Sequence, residues 1–351
     1  MTWAARRDAV ASLLFGTRPQ GGAFPGLRVA TIVDEFTRSC LAPEVTLLDV
    51  HARTWRLQLP VFKPQLLFVE SAWRGARDSW KRRVASYPGH TDEALPAVIR
   101  WCRRHGVPTV FWNKEDPVHF DRFIDRARLF DHVFTTEEAC LPAYQKAGLS
   151  ADRVHALLFA AQPALHHPGA AGVTRENVVC FAGSYGEAEL GDRRRDLEVL
   201  LDAATAFDLR ILDRNWQARN DPKAYPERYR PYVRPGVPYH DLTALQRRYK
   251  VFLNVNAVRA SRTMFSRRVF ELLASGAAVV SSPNAGISEL FGDTVAIAET
   301  SEDAAAAISR LLDDDSHFAA VTRRGIELVA AGHTYAHRIA QVCRVIGLDP
   351  G

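Results

Sequence analysis

At 351 residues the chain is long enough for two ordinary domains, each with its own core. A composition of 47% hydrophobic and 24% charged residues excludes a disordered or fibrous protein, and no apolar run approaches the ~18 residues of a membrane span. The net charge of +5 and sequence pI near 9.0 suit an anionic ligand or an acidic membrane face. Nucleic acid is a poor match, because the arginines are scattered and no nucleic-acid motif accompanies them.

The N-terminus, Met-Thr-Trp-Ala-Ala-Arg-Arg-Asp, lacks the apolar core and cleavage site of a signal peptide, so a cytoplasmic location is expected. Leu27–Val33, Leu66–Val69, Pro108–Trp112, Val133–Thr136 and Val154–Phe159 read as short strands. Between them, Leu95–Gly106 is apolar at helical spacing and ends on glycine, as a crossover helix does. From Gln162 to Arg175 a Pro-, His-, Ala- and Gly-rich stretch breaks the pattern and reads as a linker. Asn177–Ala182, Leu209–Leu212, Val251–Val255, Ala277–Val280 and Val295–Ala298 begin a second alternating series, and a helix is expected over Tyr335–Ile346. Strands alternating with helices predict α/β architecture: two Rossmann-like, doubly wound domains. The expected division is 1–165, 166–332 and a closing helix at 333–351.

Cys40, Cys102, Cys140, Cys180 and Cys343 are odd in number and form no Cys-x-x-Cys pair, so buried thiols are expected rather than a disulfide framework or a zinc site. Asp313-Asp314-Asp315 ends a helix and reads as a solvated terminus, and His166-His167 in the linker is no better as a metal pair.

Ligands of open parallel sheets bind at the carboxyl ends of the strands. Asp34 and Glu35 follow the first strand, Glu70 and Trp73 the second, and Asn113, Lys114, Glu115, Asp116 and His119 the third. The last group mixes amide, ammonium, carboxylate and imidazole, a set suited to moving a proton to or from a hydroxyl. Glu115, Asp116 and His119 are therefore the catalytic candidates, and Asp34, Glu35, Glu70, Trp73, Asn113 and Lys114 the candidates for holding an acceptor. Helix capping and turn formation compete for the same carboxylates.

In the second half, Gly183, Ser184 and Tyr185 follow a strand and lead to Arg193, a glycine turn and basic helix start suited to phosphate. The full Gly-x-Gly-x-x-Gly order and a P-loop Lys-Ser/Thr are missing, which weakens dinucleotide and Walker-type readings. Arg267, Arg268 and Glu271 open a later helix: two guanidiniums to clamp a diphosphate and one carboxylate for a sugar's vicinal hydroxyls. Asn256, sharing a strand face with Asn254, and Val237 and Tyr239, in a Gly-Val-Pro-Tyr turn, complete the donor-side candidates.

Val33-Asp-Glu-Phe-Thr37, Phe68-Val-Glu-Ser-Ala-Trp73, Phe111-Trp-Asn-Lys-Glu-Asp-Pro-Val-His-Phe120, Phe130-Asp-His-Val-Phe-Thr-Thr136, Phe159-Ala-Ala-Gln-Pro163, Phe181-Ala-Gly-Ser-Tyr185, Arg268-Val-Phe-Glu271 and His333-Thr-Tyr335 occur in this order. As an ordered set they resemble the bacterial CgeB-like (spore-maturation-protein-like) glycosyltransferases of GT-B fold. The resemblance implies two domains facing across a cleft and a C-terminal helix crossing back to the first. It also implies a nucleotide-diphosphate sugar, UDP-sugar favoured, on the second domain and an unknown hydroxyl acceptor on the first. No cofactor or obligatory metal is implied, and Glu271 becomes the ribose-binding carboxylate. Related retaining enzymes carry a second glutamate, whose position here is Thr263. Retention is therefore expected by analogy only, and a non-catalytic nucleotide- or carbohydrate-binding module is the alternative. A peripheral membrane contact is left open by the charge.

Overall fold

The computed structural model describes residues 14–19, 21–170, 174–186, 191–217 and 224–350; the N-terminal octet on which the leader reading rests lies outside them. Two compact units emerge. One runs up to Leu158 and takes in Tyr335 onward, and the other is Phe159–Thr334.

The first unit is built on a parallel sheet of β1 (Phe24–Ile32), β2 (Val45–Asp49), β3 (Leu66–Glu70), β4 (Thr109–Asn113), β5 (His132–Thr135) and β6 (Val154–Ala156), in the order β2-β1-β3-β4-β5-β6. Its connecting helices are α1 (Glu35–Leu41), α2 (Trp55–Phe62), α3 (Ala94–Arg104), α4 (Phe120–Ala127) and α5 (Leu141–Lys146). Successive strand residues point to opposite faces. Leu67, Val69, Phe111 and Val133 accordingly join Trp55, Leu59, Ile99 and Phe123 in one core. Val29, Leu66, Phe68 and Trp112 line a small apolar cavity on the other face, with Tyr335, Ile339 and Val342 of the C-terminal helix Tyr335–Ile346. That helix is tied down by Arg338 Nε donating to Leu158 O (2.9 Å) and Gln341 Nε2 donating to Ala156 O (3.0 Å).

The second unit repeats the design. Its sheet comprises β7 (Glu176–Ala182), β8 (Leu209–Asp213), β9 (Val233–Pro235), β10 (Tyr249–Asn254), β11 (Ala278–Ser281) and β12 (Ala296–Ile297), in the order β12-β11-β10-β7-β8-β9. The helices, continuing the numbering, are α6 (Gly191–Ala204), α7 (Tyr239–Arg248), α8 (Arg268–Ala274), α9 (Ala285–Phe291), α10 (Ser301–Asp313) and α11 (Asp315–Gly332); the C-terminal helix of the first unit is α12. Val179, Phe181, Val251 and Leu253 pack with Leu200 and Ile308 of the covering helices. The chain order reverses at β7, flanked by β10 and β8, so the switch point lies at the carboxyl ends of β7 and β10.

Sequence and structure differ in instructive places. β2 and β9 are additional strands, and β6 is shorter than expected. The proposed linker is part of the second unit: the Gln162 amide donates to His166 Nδ1 (2.9 Å), and Arg175 Nη1 donates to Gln246 O (2.7 Å) and Tyr249 O (2.9 Å). The Ala161 amide donates to His333 O (3.0 Å), so the two ends of the second unit lie side by side. All five cysteines are buried and free. Asp314 caps α11, accepting from the His317 amide (2.9 Å). Among the described residues no helix is long and apolar enough to cross a membrane, and no group of three His, Cys, Asp or Glu is arranged to hold a metal ion.

Candidate functional site

In the second unit the ends of β7, β8 and β9 surround an open pocket of roughly 250 Å³, lined by Ala182, Gly183, Ser184, Arg193, Leu212, Arg214, Gly236, Val237, Leu242 and Arg268. Three arginines reach it from three elements. Arg193 sits at the start of α6, where Nη1 donates to Tyr185 O (3.1 Å) and Nη2 to Ser184 O (3.4 Å), so its head is tied to the glycine loop. That approach needs Gly186, with φ at +101°, because a Cβ there would come within 2.5 Å of the Arg193 guanidinium. Arg268, at the start of α8, brings Nη1 to within 3.6 Å of the position a Gly183 Cβ would take. Arg214 follows β8 directly.

Among the described residues none of these three guanidiniums has an ion-pair partner. Burial, with Arg267 and Arg193 as positive neighbours, lowers the Arg268 guanidinium to about 10, and burial also lowers Arg193. Glu271 offsets part of the Arg268 charge from nearby, but a desolvated cation without an ion pair remains costly. An anion entering the pocket removes that cost and gains charge-assisted hydrogen bonds from planar, forked donors. The loop itself is braced by Tyr225, whose hydroxyl donates to Gly183 O (2.7 Å).

Of the donor-side candidates, Gly183, Ser184, Arg193, Val237 and Arg268 line this pocket. Arg214 was missed, although its position just past a strand was the available signal. The remainder are engaged elsewhere. Arg267 does not pair with Arg268 as a clamp: its Nη1 lies 2.7 Å from Glu271 Oε1 and its guanidinium stands over the Tyr239 ring at 5.6 Å. Glu271 has no exposed surface, and Arg267, His166 and Arg268 together pull its carboxyl down against the opposing effect of burial. Arg267 engages only Oε1, and Oε2 is buried without a hydrogen-bond partner among the described residues, so the ribose contact drawn from the resemblance is not made from an exposed carboxylate. Tyr239 OH is 2.7 Å from His166 Nε2. The Tyr185 hydroxyl bonds the Glu198 carboxylate. Asn256 is spent on its own loop, donating to Ser282 O (3.2 Å) and accepting from the Ser266 amide (3.1 Å). Glu289 of the later Gly-x-x-Glu loop pairs with Arg262 (2.6 Å).

The carboxyl edge of the first unit's sheet is arranged differently. Asp34 accepts from the backbone amides of Trp73 (3.2 Å), Arg74 (3.3 Å) and Gly75 (2.6 Å). Glu70, fully buried, accepts from the Asp34 amide (2.6 Å) and pairs with Lys114 Nζ (2.6 Å), which also donates to Thr37 Oγ1 (2.9 Å). Asp116 is fully buried too, accepting from Asn113 Nδ2 (2.7 Å), Thr135 Oγ1 (2.6 Å) and Tyr144 OH (2.8 Å). Burial pushes its carboxyl up to about 6 against those hydrogen bonds. These groups tie loops to strands, so Asp116 and Asn113 are corrected from candidates that meet a ligand to the knot beneath the turn.

What remains accessible is Glu115, His119 and Trp73. Glu115 Oε2 lies 3.9 Å from His119 Nε2, with the two side chains 29% and 43% exposed, and the imidazole meets the Trp73 indole edge-on at 5.2 Å between centroids. Burial raises the Glu115 carboxyl, while Lys114 and His119 oppose the shift. A partly buried carboxylate beside an imidazole is a chemically competent proton acceptor. Glu35 is on the surface, 3.7 Å from Arg38.

Residues 193–344 match the family described as glycosyl transferase-like. Arg193, Arg214, Gly236, Val237, Leu242 and Arg268 of the pocket all fall within that stretch. No functionally curated protein matches the sequence. Among solved structures the chain is similar to WaaG, a glycosyltransferase involved in lipopolysaccharide biosynthesis, with a TM-score of 0.54 and 11% identity over 92% of this chain and 100% of that one. It is also similar to a glycosyltransferase from Rickettsia africae (TM-score 0.53, 8% identity, 91% and 98% covered). Anabaena HepE, solved in complex with UDP and glucose, gives a TM-score of 0.51 with 14% identity over 91% of both chains. The fold is therefore that of two parallel-sheet, Rossmann-like domains, as in these GT-B glycosyltransferase structures, and most residues lining the cationic pocket lie in the stretch that matches the family model.

Proposed function

We propose that the protein transfers a sugar from a nucleotide-diphosphate sugar, UDP-sugar favoured, to a hydroxyl acceptor, in the manner of the CgeB-like group. The observation that carries this reading is the pocket that Arg193, Arg214 and Arg268 line beside the Gly183 loop without forming an ion pair among the described residues. As the sugar's anomeric C–O bond breaks, negative charge builds on the departing diphosphate, and fixed guanidiniums in a partly dry site stabilise that charge. The same groups supply what a divalent cation would, so the reaction is proposed to be metal-independent, in the cytoplasm. UDP in the HepE structure supports the choice of donor. The acceptor belongs to the first unit in this reading, with Glu115 polarising its hydroxyl and His119 beside it.

Incubating the protein with UDP-, GDP- and dTDP-sugars and following donor hydrolysis tests the reading. The expected result is nucleoside diphosphate released from one class of donor, undiminished by excess EDTA and lost in Arg268→Ala. Thr263 and the enclosure of Glu271 favour a second reading, a binding module without turnover. UDP binding in calorimetry with no hydrolysis and no transfer would select that alternative.

A further inference from the structure

Helix α2 turns Trp55, Gln58, Leu59 and Phe62 into the core of the first unit. The opposite side consists of Arg56, Leu57, Pro60 and Val61, all exposed, with Leu57 at 66% and Val61 at 44% of their full surface. A surface helix ordinarily turns polar residues outward. Here three of those four outer residues are apolar. A further apolar side chain, Phe15, is 60% exposed, and the adjoining Gly16 backbone lies against Phe62, where a Cβ would come within 2.7 Å of the ring. Arg28, Arg53, Arg56 and Lys63 surround this face, all exposed and without an ion-pair partner among the described residues. Arg28 Nε donates to Lys63 O (2.8 Å), which keeps two of these residues at the same end of the helix. From Val50 to Val69 the chain contains no aspartate or glutamate.

The face is rigid. The Gln58 side chain accepts from the His51 amide (2.8 Å) and donates to Asp49 O (2.9 Å), and the Lys63 amide closes the helix on Leu59 O (2.9 Å).

We propose that this outer face of α2 docks the first unit on an anionic lipid surface. The charge complementarity is one-sided, with cations ringing the apolar tips. Leu57 and Val61 project from α2, suited to entering the boundary between headgroups and acyl chains. Each cation near such a surface strengthens binding about fivefold at moderate ionic strength. The interaction weakens as salt rises.

The test is co-sedimentation of the full chain with vesicles of phosphatidylcholine alone or of phosphatidylcholine with phosphatidylglycerol. The wild type is expected to sediment with the anionic vesicles, stay in the supernatant with the neutral ones, and be released by high salt. Leu57→Ser with Val61→Ser, and separately Arg53→Gln with Arg56→Gln, should each lower the bound fraction about fivefold or more. Circular dichroism and the melting temperature should be unchanged, which separates lost docking from lost folding. A wild type that ignores anionic vesicles, or variants that sediment like it, would overturn the proposal. So would a concentration-dependent dimer in light scattering that the Leu57→Ser, Val61→Ser chain no longer forms while vesicles are ignored, since the occupant would then be a second copy.

Discussion

At the carboxyl edge of the first unit's sheet, Asp34, Glu70 and Lys114 close on one another and on backbone amides, and Asp116 closes on the side chains of Asn113, Thr135 and Tyr144. At the same edge of the second unit's sheet, Arg193, Arg214 and Arg268 line a pocket and form no ion pair among the described residues, although Glu271 and Asp213 act on Arg268 and Arg214 from nearby. The first edge closes a buried ion pair, Glu70 with Lys114, whereas the three guanidiniums of the second are half-buried or exposed and make no ion pair among the described residues. A fold tolerates buried ions when they are paired. Cations without an ion pair gain most from an arriving anion, which supports the reading that places the ligand at this edge. The contrast implies that substitutions at the first edge act on stability and those at the second on binding.

The largest effect expected is for Lys114→Met, which leaves Glu70 buried without its cation and should lower unfolding free energy by about 3–5 kcal/mol. Urea denaturation measures it, and UDP affinity in calorimetry should stay near that of the wild type. Asp116→Ala removes the common acceptor of Asn113, Thr135 and Tyr144 and should cost about 2–4 kcal/mol. Normal stability in either variant would erase the distinction between the edges.

Arg268→Ala should do the reverse, weakening UDP binding by about 1.5–3 kcal/mol while leaving the melting temperature unchanged or raised. A loss of stability with undiminished affinity would show that Arg268 serves the fold.

A subtler effect follows from the Asp116 carboxyl, pushed up from 3.8 to about 6. Between those values the folded chain keeps a proton that the unfolded chain releases. The stabilisation from this group is therefore complete below about pH 4 and is lost as pH rises through about 6, by about 1–3 kcal/mol in all. Comparing urea midpoints at pH 4.5 and 7 for the wild type and Asp116→Asn isolates the contribution, and an identical pH dependence in both chains would refute it. The smallest effect should come from Glu271→Gln. If the carboxylate only holds Arg267, affinities for UDP and for inorganic diphosphate should fall together; a loss confined to UDP would restore its contact with ribose.

The two alternating series were legible because buried parallel strands are short apolar runs and their crossover helices repeat at a different period. β2 escaped notice because Val45–Asp49 lies only a few residues beyond α1, without a long polar break. The polar residues after each strand were legible as a set, but sequence cannot show whether a carboxylate faces solvent or a neighbouring amide. That orientation separates Asp116, enclosed by Tyr144 from 28 positions away, from Glu115 beside it. Arg267 and Arg268 illustrate the same limit: a step of one residue along a helix turns the side chain by about 100°, sending one to Glu271 and the other to the pocket.

The adjacency of Ala161 and His333 has a consequence for the order in which the protein is made. The second unit is a continuous insert, whereas the first is interrupted and recovers its last helix only at the end of the chain. On the ribosome, the apolar face formed by Val29, Leu66, Phe68 and Trp112 must wait for Tyr335, Ile339 and Val342 to emerge. The half synthesised first is thus completed last, and a chain truncated before Tyr335 would release the unit with the cationic pocket intact beside a partner with one side of its sheet bare.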